Sequence, residues 1–479
     1  MGFVLSVLYF VTSYLTPSVL FGPLAAYRIE LILAALLLLI SLPKLAKSFT
    51  LKTPQSLALI GLAFAVFISV LIAVRWPGGA VEGFLGFIPN IFAYFMVCLH
   101  CDSKKKLQAI ILMLLFVCLF VIARGAIDLR AQAPPSQLAQ AGASQLPPLQ
   151  PGDTEDADPD LNSGVWNMEH PYVLAMRVGP GRWIYRLRGL GEINDPKDLG
   201  QMIICTVPLM IIFWRPKKTF WNFVLVILPV CVLLYGAFQA QSRGALVALM
   251  AVAVVAARRR IGTLPALLIA GGLFAGAMAL NFTGGRAVSV NAGEDRTALW
   301  GESLQLLKSH PFFGVGFGNL ADYLGHTAHN SVAVCAAELG IFGLFFWCLF
   351  LFPTVRDALV IASPAQVSEA EPVEPEEELL PLSARKIEVI DKAEVNHLGR
   401  LMGLSLTGFL VAGWFLSRAF IMTFFLLGGM VEVVYEMALR RGMIAPRLRM
   451  ARLLPYVGGF EVSLVLLMYV LLRTVNLMH

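Results

Sequence analysis

A few arginines and histidines stand out in this chain because an apolar sequence has little reason to keep them where they are. Arg243 lies in Gln241-Ser242-Arg243-Gly244, a short stretch between two apolar runs. Arg296 follows Asp295 and precedes Trp300 within a polar interval from Asn281 to Asn330, which ends on His326, His329 and Asn330. Arg186 and Arg188 come earlier, just ahead of Gly189-Leu190-Gly191. A guanidinium makes paired hydrogen bonds to phosphate or carboxylate that lysine cannot reproduce. An imidazole titrates near neutral pH and can act as a general base. Together such groups can hold an anion and activate a hydroxyl beside it. Each also has a structural alternative: a snorkelling or loop-paired arginine, or an interfacial histidine that is merely hydrogen-bonded. His326 and His329 are three residues apart and would share a helix face, but metal binding needs a third ligand, and Asp322 and Glu338 make a weak case. No metal or cofactor is expected.

The elements that must position these residues are set by composition. Of 479 residues 58% are hydrophobic and 14% charged, with a mean hydropathy of +0.74. Soluble globular chains are about a quarter charged, so that class is excluded. Apolar runs recur that are long enough to cross roughly 30 Å of hydrocarbon as helices, and alternating strands of the β-barrel kind are absent. The fold class expected is an all-α polytopic membrane protein with twelve to thirteen spans, near residues 3–21, 24–43, 55–74, 83–101, 107–127, 198–214, 219–238, 244–257, 261–282, 331–352, 400–417, 419–438 and 456–475. Met1 to Leu15 lacks a basic start and a small-residue cleavage site, so it reads as the first helix rather than a signal peptide. The seven cysteines lie in or beside apolar runs and suggest buried thiols, not disulfides.

Orientation follows from basic clusters at Lys44–Lys52, Lys104–Lys106, Arg215–Lys218, Arg258–Arg260 and Arg440–Arg452. They occupy every second connection, which the positive-inside rule makes cytoplasmic. The connections near 75–82, 128–197, 239–243 and 283–330 then face outward. Only Lys197 and Lys308 of twelve lysines fall there, against arginines at 177, 182, 186, 188, 243, 286 and 296. Arginine is thus retained where positive charge is disfavoured, and an anionic ligand is one reason for that.

The expected organisation is N-terminal membrane helices (1–127), a partly flexible outer loop (128–197), central membrane helices (198–282), an outer catalytic loop (283–330), one further span (331–353), an acidic cytoplasmic linker (354–399) and C-terminal membrane helices (400–479). Pro- and Gln-rich residues from Ala131 to Asp160 and the acidic Ser363–Pro381 stretch read as solvated insertions. No internal repeat of a transporter kind is present. Arg296 to Lys308 looks like an amphipathic surface helix with Asp295 as its N-cap. The His310–Gly318 stretch is glycine-rich but lacks GxxxxGK[ST] and follows no strand, so its glycines suggest a tight turn rather than a nucleotide site.

The order Gln241-Ser242-Arg243-Gly244, Arg296 with Trp300, Pro311-Phe312-Phe313-Gly314-Val315-Gly316-Phe317-Gly318, His329-Asn330 and Glu338-Leu339-Gly340-Ile341-Phe342-Gly343 resembles the O-antigen ligase and polymerase superfamily. The resemblance covers about residues 190–350 by motif and the rest by hydropathy; Asp198 stands where asparagine is the more usual residue. It implies a GT-C-like glycosyltransferase of the bacterial inner membrane, with its active site on the periplasmic face and short helices in its large periplasmic loop. Such an enzyme transfers a glycan, without metal, from an undecaprenyl diphosphate carrier to an acceptor hydroxyl, for a ligase that of lipid A core. Carried onto this chain, Arg243 and Arg296 hold the diphosphate and His329 activates the acceptor. Arg186, Arg188, His326 and Asn330 are further substrate contacts. The alternatives are a polysaccharide polymerase or protein O-oligosaccharyltransferase with the same donor and, in another class, a transporter or flippase of lipid-linked glycans.

Overall fold

The computed structural model describes residues 1–21, 27, 29–45, 53–131, 170–179, 182–280, 282, 290–362 and 391–477. Most of the Ala131–Asp160 segment and the whole of Ser363–Pro381 lie outside the described residues. Among the described residues, eight helices are long and apolar enough to cross a membrane: Pro54–Ala73, Pro77–His100, Lys104–Arg130, Pro196–Phe213, Thr219–Ala240, Ser331–Ala362, Met422–Leu439 and Met450–Thr474. The chain is an all-α polytopic membrane protein. Shorter or more polar helices stand at the remaining expected positions, at Gly2–Leu15, Ile29–Leu45, Arg243–Ile261, Thr263–Ala279 and Lys392–Gly413. The expectation of twelve to thirteen spans therefore meets eight helices that qualify by length and composition.

Burial orders these helices from centre to rim. Met422–Leu439, Ser331–Ala362 and Pro196–Phe213 are the most enclosed, whereas Met450–Thr474 is 17% buried and presents its side chains outward. In lipid an apolar rim is at no disadvantage, so the inner helices are distinguished by what they pack and bond rather than by greasiness.

The longest helix is broken. Ser331–Ala362 turns out of helical geometry at Gly340, whose φ is 65° and ψ −168°. Backbone groups freed inside a membrane must find partners, because no water is there to satisfy them. The glycine-rich turn supplies them. Ile341 N–H donates to the Pro311 carbonyl at 2.8 Å and Phe342 N–H to Phe312 at 3.2 Å, while Val315 and Gly316 donate to the carbonyls of Ala337 and Glu338 at 2.9 and 3.0 Å. Such close backbone docking leaves no room for a Cβ at Gly340, which would overlap the Phe312 carbonyl, or at Gly314, which would overlap that of Glu338. Both also adopt positive φ.

The structure corrects one expectation and refines two. The surface helix runs Val290–Ser309, so Asp295 is not its N-cap and Arg296 lies inside it rather than at its start. The 128–197 connection, expected as a partly flexible loop, carries a two-stranded antiparallel hairpin, Val173–Gly179 with Arg182–Leu187. A Pro-Tyr-Val lead-in and the β-branched and aromatic residues Val173, Trp183, Ile184 and Tyr185 favour strands there. As the expected spans 400–417 and 419–438 imply, Lys392–Gly413 and Met422–Leu439 are separate helices, and the turn between them is Trp414–Ile421.

At one end of the bundle, Arg447 ties several helices together. Its guanidinium bonds Glu432 at 2.7 and 3.0 Å and Asp357 at 2.8 Å, stacks 4.0 Å from the Tyr435 ring, and Gln55 donates to the same Asp357 at 2.8 Å. Asp357 and Glu432 are buried. Removing one partner of a buried network strands the others, at a cost of about 3–5 kcal/mol. Arg447→Met is accordingly expected to lower the thermal unfolding midpoint of the detergent-solubilised protein sharply, as read by size-exclusion after heating. Gly340→Ala is expected to cost about 2 kcal/mol or more in the same assay, from left-handed strain and displacement of the docked turn. Wild-type stability of either variant would show that these contacts are dispensable.

Candidate functional site

Four basic side chains from separate parts of the chain line one narrow crevice. Arg186, Lys197, Arg243 and Arg296 face it, with Ser242, Gly244, Phe415 and Leu416 completing the wall. Among the described residues that line it there is no carboxylate. Each cation is placed by a local device. Arg186 ends the second strand of the hairpin, is buried, and its Nε donates to the Ala240 carbonyl at 3.1 Å, tying the hairpin to the end of Thr219–Ala240. That helix stops because Gln241 adopts a left-handed conformation, φ 49°. Ser242 then caps the next helix, its hydroxyl accepting the Ala245 N–H at 3.3 Å, which makes Arg243 the first helical residue. An anion near that N-terminus also meets the positive end of the helix dipole.

Lys197 opens Pro196–Leu209, whose N-cap Asp195 accepts the Lys197 N–H at 2.6 Å. Burial would raise the Asp195 carboxyl, but the charges of Lys197 and Arg186 and that N–H hold it below the usual carboxylate range. The crevice is thus backed by a fixed negative charge behind two of its cations. Arg296 is located by Trp300 one turn on. The Trp300 indole donates to the Ala328 carbonyl at 2.9 Å and meets Trp414 edge-on at 6.0 Å.

His329 belongs to the same construction. It has a positive φ of 50°, uncommon for a residue with a Cβ, and is held by its N–H donating to the Ser417 hydroxyl at 2.8 Å. Its Nδ1 lies 3.5 Å from the Thr327 hydroxyl. Asn330 is fully buried and committed to structure: its side-chain oxygen accepts Val332 and Ala333 N–H at 2.8 and 3.0 Å, and its nitrogen donates to the Trp414 carbonyl at 3.1 Å. His326 is exposed on a bend rather than a helix, so no shared helix face joins it to His329. Arg188 is buried outside the crevice, its Nε donating to Gly189 at 3.3 Å, and burial lowers its affinity for its proton. Of the anticipated residues, the fold brings Arg186, Arg243 and Arg296 together, bonds the His329 backbone to Ser417 of the Trp414–Ile421 turn, and uses Asn330 as a cap.

That turn also walls a second opening. A cleft of about 370 Å³ is lined on one side by Ser417, Arg418 and Phe420, and on the other by Asn90, Glu192 and Glu338. Its size falls within the roughly 300–1,000 Å³ typical of ligand pockets. Arg418 Nε donates to Asp198 at 2.6 Å and its N–H to Ser331 at 3.1 Å. This ion pair accounts for the carboxylate at 198. Burial pushes the Glu192 carboxyl up to about 7, although the Met422 N–H and Arg418 favour its anion.

Lys197, Arg418, Asn90 and Glu192 were missed as site residues. Lys197 and Arg418 had a signal: one is a rare lysine in an outer connection, and the other falls where the same alternation makes a connection outward-facing. Asn90, inside an apolar helix, had none beyond its polarity. Comparison of the chain with protein-family models, curated proteins and solved structures finds no match.

Glu192 makes the fold sensitive to pH in a definite direction. Between the ordinary carboxyl value near 4.5 and about 7, the folded protein holds a proton that the unfolded chain has released. This contribution to stability is full below about 4.5 and lost as pH rises through about 7. Glu192→Gln, which cannot ionise, is expected to leave the unfolding midpoint unchanged near pH 4.5 and raise it at about pH 8. An equal shift at both pH values would remove Glu192 as the cause.

Proposed function

We propose that the chain is a GT-C-like glycosyltransferase of the bacterial inner membrane, transferring a glycan from undecaprenyl diphosphate to an acceptor hydroxyl of lipid A core at the periplasmic face. The observation that carries this reading is the convergence of Arg186, Lys197, Arg243 and Arg296 on one crevice. His329 is fixed to the turn that forms part of the same wall. In the reaction the acceptor oxygen attacks the anomeric carbon as the bond from that carbon to the diphosphate breaks. The electron pair leaves with the carrier, the acceptor proton passes to the His329 imidazole, and direct attack inverts the anomeric configuration.

Preorganised cations in a partly dry crevice stabilise the departing diphosphate more than water does, because they need no reorientation as charge develops. Each charge-assisted contact contributes about 1.5–3 kcal/mol, so several together can supply what a divalent cation supplies in other transferases. Proton removal by a positioned base adds about 10²- to 10⁴-fold.

Incubation of the purified protein with undecaprenyl diphosphate glycan and core-only lipopolysaccharide, in the presence of a chelator, is expected to give a product heavier by the glycan. Arg243→Ala, Arg296→Ala and His329→Ala are each expected to lower that rate by about 100-fold or more while the protein stays folded. Full transfer by the His329 variant would remove the general base, and full transfer by both arginine variants the diphosphate site. Movement of intact lipid-linked glycan across proteoliposomes, with no new glycosidic bond, would favour transport instead.

A further inference from the structure

The two openings on either side of Trp414–Ile421 carry opposite charge. Among the described lining residues the crevice has four cations and no carboxylate, whereas the cleft has Glu192 and Glu338 and a single guanidinium, Arg418, paired with buried Asp198. An anionic ligand suits the first and is disfavoured in the second. What the cleft presents is an array of hydrogen-bond acceptors beside aromatic carbon. The carboxyl of Glu192, the amides of Asn90 and Asn194 and the hydroxyls of Thr327 and Ser417 line it, with Phe317 and Phe420, 5.3 Å apart, forming an apolar patch. The Asn90 side-chain oxygen is buried and has no hydrogen-bond partner among the described residues. A buried acceptor without a donor carries a cost that a ligand hydroxyl can relieve.

From this arrangement we infer that the cleft is a saccharide site: it binds a neutral, polyhydroxylated ring, with Glu192 and Asn90 accepting from its hydroxyls and Phe317 and Phe420 covering its C–H face. Resting on the transferase reading, this assigns the cleft to the acceptor sugar, because two of the residues that line it, Thr327 and Ser417, contact His329. The acceptor thus reaches the histidine from one side of the turn and the donor diphosphate lies on the other. Glu192 and Asn90 act as binding residues. Neither takes the transferred proton.

Two measurements test this separately from the transferase reading. In the transfer assay, Glu192→Ala and Asn90→Leu are expected to raise the KM for core-only lipopolysaccharide about tenfold, with the KM for the undecaprenyl diphosphate donor changed less than about twofold. Glu192→Gln, which keeps one acceptor oxygen, should fall between Glu192→Ala and wild type, and serves if either other variant does not fold. An acceptor KM within about twofold of wild type for Glu192→Ala, or an equal rise in both KM values, would overturn the assignment. In the second measurement, core oligosaccharide freed of its acyl chains is added to the full-length protein and contact is read by saturation-transfer NMR. Signal with wild type that is lost in Glu192→Ala supports the saccharide site, even if the arginine variants retain full transfer and the diphosphate reading fails. No signal with wild type, or equal signal in the variant, overturns it.

Discussion

The Trp414–Ile421 turn is the piece on which the rest of the site depends, and the Arg418–Asp198 ion pair is what anchors it. From this one turn, Trp414 receives Asn330, Leu416 receives the Ser331 hydroxyl at 2.7 Å, Ser417 receives His329, and Ala419 receives the Trp347 indole at 3.0 Å. A buried ion pair is poor evidence of net stability, since desolvation offsets much of the attraction. Its value here is register. Arg418 can satisfy the enclosed Asp198 in one placement of the turn, and that placement sets the walls of both openings.

Separation of charge follows from the same geometry. Phe415 and Leu416 close the cationic crevice while Ser417, Arg418 and Phe420 close the acceptor-rich cleft. Groups of opposite preference are thus a few residues apart along the chain, with His329 bonded to the residue between them. Field strength in such partly dry openings exceeds that in water, so a change of one charge on either wall acts on ligand choice as well as on affinity.

The broken Ser331–Ala362 helix solves a different problem. It is apolar enough to cross a membrane, and irregular backbone in such a helix is tolerated when protein supplies the missing hydrogen bonds. The Pro311–Gly318 turn does so, and in docking it also fixes the far end of Val290–Ser309, the helix that carries Arg296. Gly314 and Gly340 are required because two backbones meet where any Cβ would intrude.

Much of this was legible in the residues themselves. Long apolar runs and alternating basic clusters determined a multi-pass helical protein and the places of its helices, because helix formation in lipid depends on local composition and on hydrogen bonds made within each segment. Arg186, Arg243 and Arg296 were conspicuous because a charge beside an apolar run is costly without a reason. Other features needed the tertiary structure: the hairpin at 173–187, the bonds that the 414–421 turn receives, the role of Asn330 as a cap, and the placing of Asn90 and Glu192 on one cleft. Each depends on pairings between residues distant in the chain, and pairings of that kind leave no periodicity to read. The sequence determined which residues were out of place in a membrane; only the packing of the helices decided which of them face one another.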